Sequence, residues 1–137
     1  MNTIIYHIVT LDELKAQTKD NRYKPLNFDQ DGFIHCTAEM STSLLVLEDY
    51  FTEASKSNVI LILEIDTSKL ESIVKYEPPA PIPGGGTGHI KDGILFPHIY
   101  GSINIDSVIG CGKAERIDNA FVWPLKLDSI DNYLHER

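Results

Sequence analysis

The sequence predicts an α+β domain. Strand-like stretches outnumber helical ones, and the two kinds follow each other without the regular strand–helix repeat of an α/β fold. The composition is that of a globular protein with a substantial core, because 42% of the residues are hydrophobic and 23% are charged. A chain of 137 residues fits one domain, so residues 1–137 are expected to form a single unit.

The first third of the chain carries local signals for a strand, a helix and a loop. Residues 3–9 alternate between two apolar faces, which predicts a strand covered on both sides. Thr10 and Glu13 have capping-box spacing, which predicts a short helix in which Glu13 reaches back to the Thr10 amide. The polar stretch 19–31 is typical of a surface loop, and a strand is expected at 32–37.

The rest of the chain predicts one longer helix and several strands. The helix should bury a face of four apolar residues at helical spacing, which are Met40, Leu44, Leu47 and Phe51. Residues 58–66 form the most continuous β-branched run and predict a central strand buried on both faces. Shorter strands and a terminal helix capped by Asp128 complete the expected elements, with the strands at 72–77, 93–101, 106–117 and 120–125.

Charge and hydropathy restrict the classes of partner. The chain has 12 basic and 20 acidic residues, a net charge of −8, and its Lys and Arg residues form no stripe that could follow a phosphate backbone. Nucleic acid is therefore not an expected partner, whereas a small-molecule ligand is. No apolar run approaches the roughly 20 residues that cross a bilayer, and the first ten residues lack signal-peptide features. A cytoplasmic location without membrane attachment is expected.

Residues 78–93, "PPAPIPGGGTGHIKDG", are the one compositionally biased segment. Prolines and glycines at this density disfavour helix and sheet interior. The "GGGTG" part lacks the preceding strand and following helix of a phosphate-binding loop. Long loops in compact domains are usually functional, so the segment is expected to act as a mobile lid bordering a cleft.

Three of the five histidines lie inside apolar segments. His35 shares its strand face with Thr37, and His98 shares its face with Tyr100; His7 lies in the first strand. Polar groups repeated on interior faces predict a cleft in which these five side chains bind a ligand. The alternative is three separate core histidines, each satisfied by a backbone carbonyl.

A metal site and a cysteine nucleophile are two other possible functions of these residues. Three histidines could hold a catalytic zinc ion, but they lack the H-x-H or H-x₃-H spacing typical of such sites, so no metal ligand is assigned. A metal-dependent hydrolase stays an open alternative. Cys36 follows His35 directly and therefore points to the opposite strand face, which disfavours a cysteine nucleophile activated by that histidine. Cys36 and Cys111 lack C-x-x-C spacing, and no disulfide is expected in the cytosol.

Taken together, several of these segments resemble the bacterial family called domain of unknown function 952. The resemblance covers about residues 4–125, and the segments that carry it are "IYHI", "GFIHCT", "LEID", "VKYE" and "FPHIYG". It implies a fold similar to ADP-ribosyltransferases, with a split, mostly antiparallel β-core, small flanking helices and a nucleotide cleft between the sheets.

The resemblance also implies roles for individual residues. His7 matches the first-strand histidine that bonds a ribose hydroxyl of NAD in ADP-ribosyltransferases, and Tyr100 is the candidate to stack on nicotinamide. Glu77 is the candidate catalytic carboxylate, which would stabilise the oxocarbenium-like charge that develops when an N-glycosidic bond breaks. The expected function is binding of an NAD-like nucleotide or phosphoribosyl ligand, with ADP-ribosyl transfer or NAD glycohydrolysis as the reaction. A non-catalytic ligand-binding module is the main alternative.

Overall fold

The computed structural model describes residues 3–79 and 93–135. In these ranges every pair of strands is antiparallel and the helices are short, which confirms the α+β class. The strands are β1 (Ile4–Thr10), β2 (Thr18–Lys19), β3 (Arg22–Tyr23), β4 (Ile34–His35), β5 (Ile60–Asp66), β6 (Ile73–Glu77), β7 (Phe96–Tyr100), β8 (Ile103–Asn104), β9 (Val108–Lys113), β10 (Glu115–Ile117) and β11 (Ala120–Val122). The helices are α1 (Leu11–Gln17), α2 (Phe28–Asp31), α3 (Met40–Tyr50) and α4 (Asp131–Leu134), with 3-10 turns at Ala54–Lys56 and Ile105–Ser107.

The first sheet has the order β1-β5-β9, with β5 in the centre. The prediction of a central strand buried on both faces is confirmed, because Ile62 and Leu63 point to opposite faces and are both 0% exposed. Leu63 belongs to a core cluster with Ile5 and Tyr23, whereas Ile62 packs in a second cluster with Leu47. One strand therefore supports the apolar packing on both sides of its sheet.

The second sheet has the order β4-β7-β6 and carries four of the predicted site residues, which are His35, Glu77, His98 and Tyr100. His35 of β4 lies directly opposite His98 of β7. The strand predicted at 32–37 is shorter than expected, and Thr37 instead forms an isolated bridge to Tyr6 of β1 through two backbone hydrogen bonds of 2.8 Å. This bridge joins the first and second sheets, and a cleft lies beside it.

The third sheet, β2-β3-β8, corrects the prediction of a plain loop at 19–31. Residues 18–23 form a hairpin whose central residues Asp20 and Asn21 have φ angles of 54° and 59°. Asp and Asn tolerate this left-handed region, and two consecutive positive φ angles match the right-handed twist of flanking strands. Helix α2 follows in the same stretch and ends at Gly32, whose φ is 81°.

The helix predictions are confirmed in part. The Thr10 hydroxyl accepts the Glu13 amide, as predicted, but the Glu13 carboxylate accepts the hydroxyl of Tyr23 at 2.7 Å rather than closing the capping box. In α3 the prediction for Met40 is wrong. Its side chain is 47% exposed at the first turn, whereas Leu47 is fully buried.

The predicted cap of the terminal helix is wrong. Helix α4 begins at Asp131, and the backbone of Asp128 is engaged in a bridge with Cys111 of β9, through two hydrogen bonds of 2.8 Å. Within the described ranges, no helix is long and apolar enough to cross a membrane. Most of the expected lid, 80–92, lies outside the described residues.

Candidate functional site

A cavity of about 290 Å³ lies in the cleft between the first and second sheets. Its walls come from β1, α1, α2, the β4 segment, α3 and β7. Four of the six predicted site residues line it, and these are His7, His35, Thr37 and His98. The structure thus brings the three predicted histidines together in one place. Their participation in binding stays a prediction.

His7 has an unusual hydrogen-bonding state. Its Nδ1 lies 2.7 Å from the backbone carbonyl oxygen of His35, so Nδ1 carries the proton and donates. Burial lowers the pKa of His7 to about 4, and the imidazole is therefore neutral near pH 7. Its Nε2 is then a hydrogen-bond acceptor, and this atom is buried without a partner among the described residues. An unpaired buried acceptor is costly, and a donor from a ligand or from a water molecule would satisfy it.

His35 is paired with a carboxylate that was not predicted as a site residue. Its Nε2 lies 3.2 Å from Oδ2 of Asp31, four residues earlier at the end of α2. Burial lowers the pKa of His35, and the neighbouring Asp31 opposes that effect. Because Asp31 also lines the cavity, the pair places an acid and an imidazole side by side on one wall.

His98 forms a second carboxylate–imidazole pair, with Glu77. Its Nδ1 donates to Oε1 of Glu77 at 2.8 Å, and the Tyr100 hydroxyl donates to the same oxygen. These two hydrogen bonds, from Tyr100 first and from His98, lower the pKa of Glu77 and keep it ionised at neutral pH. His98 is 2% exposed and lines the cavity, whereas Glu77 and Tyr100 are absent from its described lining. Glu77 is therefore connected to the described cavity lining through its hydrogen bond with His98.

Phe33 connects these groups, although the sequence did not single it out as a binding residue. Its ring stacks on the His98 ring, with centroids 4.0 Å apart and planes 19° apart. It also lies 4.8 Å from the His35 ring and 5.5 Å from that of Tyr100. Residues two positions apart in an extended segment share a face, so the sequence can place Phe33 beside His35, but it does not indicate His98 of another strand as the stacking partner.

Thr37 is held by a chain of hydroxyls. Its Oγ1 is hydrogen-bonded to Oγ of Ser43, and Ser43 donates to the backbone oxygen of Glu39 at 3.0 Å. Because a hydroxyl has one proton, Ser43 spends its proton on Glu39, and Thr37 must donate to Ser43. The Thr37 oxygen then faces the site with lone pairs only.

The cavity lining also includes Glu13 and Cys36. Burial raises the pKa of the Cys36 thiol, so it stays protonated and is a poor nucleophile. Among residues 3–79 and 93–135, no group of three or more His, Cys, Asp or Glu side chains is arranged to hold a metal ion.

Comparisons with known proteins place the chain in a family. Its residues 8–111 match the model of a family described as a protein of unknown function (DUF952). The structure is similar to crystal structures of protein CC0527 from Caulobacter crescentus and of a double mutant of that protein. Each has a TM-score of 0.65 and 19% sequence identity, over 97% of this chain and 99% of the other, and this identity shows the fold alone. No protein with a curated description matches. Since the family model spans most of the sequence, the chain belongs to the DUF952 family.

Proposed function

We propose that the cleft binds an NAD-like nucleotide and that the fold is of the ADP-ribosyltransferase type. The observation that carries the proposal is the buried Nε2 of His7, an acceptor without a partner among the described residues of a cavity wall. A ribose hydroxyl is a neutral donor that would satisfy this atom. Because His7 is neutral near pH 7, its Nε2 favours a hydroxyl over a phosphate, which has no proton to give.

The rest of the wall supports a ligand that has both a sugar and an aromatic ring. Phe33 and the neighbouring rings of His35 and His98 form an aromatic cluster, which suits contact with a nucleotide base or nicotinamide. The fold assignment is supported by the mostly antiparallel core, in which the cavity lies between two sheets that meet at the Tyr6–Thr37 bridge.

Calorimetric titration of NAD and ADP-ribose tests the proposal, with a matched pair of substitutions at His7. His7→Asn keeps an amide donor near the position of Nδ1 and loses the group at Nε2. His7→Gln keeps a polar group near Nε2 and loses the Nδ1 donor. We expect His7→Asn to weaken binding about 10- to 100-fold, the equivalent of one buried hydrogen bond, and His7→Gln to weaken it less.

The control is His135→Ala, which removes an exposed histidine at the C-terminal end of the described range. This substitution should leave the affinity for NAD and ADP-ribose unchanged. Failure of NAD and ADP-ribose to bind the wild-type protein would refute the proposal. Stoichiometric zinc in the purified protein, measured by elemental analysis, would favour the metal-dependent hydrolase instead.

A second candidate function is cleavage of the N-glycosidic bond of the bound nucleotide, by transfer or hydrolysis. The observation that favours it is the Glu77 carboxylate, which Tyr100 and His98 keep ionised beside the cavity wall. Cleavage builds positive charge on the ribose, and an anion coupled to His98 would stabilise that charge. In this arrangement Glu77 is a positioning residue, and His98 is the group that reaches the ligand.

Glu77→Gln separates a catalyst from a binding module. The amide keeps the shape and one acceptor oxygen but loses the charge. For an enzyme we expect NAD affinity within about twofold of wild type and turnover reduced about a hundredfold or more. Glu115→Gln, at an exposed site on β10, is the matched control. A wild-type protein that binds NAD but neither hydrolyses nor transfers it would leave the binding module as the function.

A further inference from the structure

One part of the cavity wall, around His7 and Thr37, presents only hydrogen-bond acceptors, whereas Tyr6, Asn27 and Tyr50 elsewhere in the lining carry donors. His7 uses its only proton on the His35 carbonyl, and Thr37 uses its proton on Ser43, so each presents lone pairs. Asp31 and Glu13 add carboxylates to the same lining. The described lining contains neither Lys nor Arg. This part of the wall accepts hydrogen bonds and repels anions.

Glu13 has a fixed position within this wall. Tyr23 donates its hydroxyl to Oε2 of Glu13 at 2.7 Å, and Tyr23 is 0% exposed. Burial and the Glu13 carboxylate raise the pKa of Tyr23, so the phenol remains a donor throughout the neutral range. The Tyr23 ring also lies 5.7 Å from the His7 ring. One buried tyrosine therefore holds the carboxylate and flanks the imidazole.

His7 and Glu13 both line the cavity and both contact Tyr23, so a neutral acceptor and a carboxylate are available to two hydroxyls of one ligand. A vicinal diol presents two donors on adjacent carbons, and an acidic side chain is a common partner for ribose hydroxyls in nucleotide sites. A phosphate in place of one hydroxyl would bring negative charge against Glu13 and Asp31, which is unfavourable. A missing hydroxyl would leave a buried acceptor unpaired.

We propose that the cavity recognises an unsubstituted ribose 2′,3′-diol, with Glu13 accepting the 2′-hydroxyl and His7 the 3′-hydroxyl. This inference rests on the proposed nucleotide binding and adds a specificity-determining residue, Glu13, together with its positioning residue, Tyr23. It assigns the phosphates of the ligand to a place outside this wall.

The test compares three dinucleotides by calorimetric titration of the wild-type protein. They are NAD, NADP, which has a phosphate on the adenosine 2′-oxygen, and an NAD analogue with 2′-deoxyribose on the nicotinamide side. Whichever ribose occupies the cavity, one of the two altered ligands should bind at least about tenfold more weakly than NAD. Equal affinity for all three would overturn the diol proposal and leave nucleotide binding intact. Absence of NAD binding would overturn both.

Glu13→Gln identifies the residue responsible. The amide can still accept from Tyr23 but lacks the charge, so the preference for NAD over the weaker analogue should fall to less than about threefold. Asp12→Asn removes an exposed acid one residue away on the same helix and should keep the full preference. An unchanged preference in Glu13→Gln would remove Glu13 from the proposal. If Glu13→Gln does not fold, the titrations of the three dinucleotides into the wild-type protein still decide whether the cavity recognises a ribose diol.

Discussion

His7 shows how a single atom defines a candidate site. The imidazole is held by its Nδ1 on the His35 carbonyl, and its Nε2 is left as a buried acceptor without a partner among the described residues. One hydrogen bond is enough to hold a structural histidine in place. The unpaired second nitrogen of His7 indicates a candidate binding site because it lies beside a cavity. Glu13 and Thr37 extend the same acceptor character along the wall.

The lowered pKa of His7 predicts loss of stability in mild acid. The folded-state value of about 4 lies below the ordinary 6.5, so between these values the unfolded chain binds more protons than the folded one. Stability is complete above about pH 7 and falls as the pH drops toward 4. At about pH 4.5 this one group should cost roughly 2–3 kcal/mol. Burial of His35 acts in the same direction.

Urea unfolding at a series of pH values checks this expectation. In His7→Asn the decrease of the unfolding free energy between about pH 7 and pH 4.5 should shrink by roughly the same 2–3 kcal/mol. His135→Asn, at an exposed position, should leave the pH dependence as it is. An identical slope in wild type and His7→Asn would show that His7 is not the group that titrates.

At the scale of elements, two Asp-Asn turns close two of the β-hairpins. Asp20-Asn21 closes the β2–β3 hairpin, and Asp118-Asn119, with φ angles of 53° and 66°, closes β10–β11. Glu48 of α3 connects the second hairpin to that helix. The Glu48 carboxylate accepts from Arg116 at 2.6 Å and from the backbone amide of Phe121 at 2.7 Å.

Removing the Glu48 contacts should lower the local stability of the β10–β11 hairpin more than that of the rest of the fold. Glu48→Ala leaves the Phe121 amide without its acceptor and Arg116 without its ion partner. We expect a loss of about 1–2 kcal/mol in unfolding free energy, because the bonds are charged but partly exposed. Hydrogen exchange of the Phe121 amide should accelerate, while that of the β5 amides changes only with global stability.

Glu115→Ala is the control for this hairpin, since Glu115 is an exposed acid of the same strand as Arg116. It should leave both the stability and the Phe121 exchange close to wild type. Protection at Phe121 that survives Glu48→Ala would mean that the hairpin is held by its apolar contacts alone.

At the scale of the whole molecule, the two core clusters meet at β5. The larger cluster draws residues from all three three-stranded sheets, including Leu63 of β5, Ile99 of β7 and Ile103 of β8. The smaller cluster lies on the other face of β5, around Ile62 and beneath Trp123. Because all three three-stranded sheets contribute to one core cluster and the second cluster shares β5 with it, the described parts are expected to unfold together.

Two probes on opposite faces of the first sheet measure this cooperativity. Trp123 packs against Tyr6, with ring centroids 5.1 Å apart, and its fluorescence reports on the smaller cluster. Cys36 and Cys111 are buried in the larger cluster, so their reaction with a thiol reagent reports on that side. The two midpoints in urea should coincide. Thiols that react well before the fluorescence changes would divide the chain into two units, against the single-domain prediction.

Periodic segments made much of this architecture predictable. The β-branched run of β5 and the alternation in β1 depend on local sequence, and both strands formed where expected. The hairpin at Asp20-Asn21 was missed because neither turn residue is a glycine, although both adopt positive φ. The Glu77–His98 bond joins residues 21 positions apart, and no local period encodes which acid meets which histidine.

The bridge between Tyr6 and Thr37 has a mechanical consequence. The two backbone hydrogen bonds of this pair and the bond from His7 Nδ1 to the His35 carbonyl tie β1 to the β4 segment at two neighbouring points. The apolar residues that both sheets contribute to the larger core cluster add to this restraint. This side of the cleft is therefore braced, and a structure with a bound ligand should keep the two 2.8 Å contacts of the bridge.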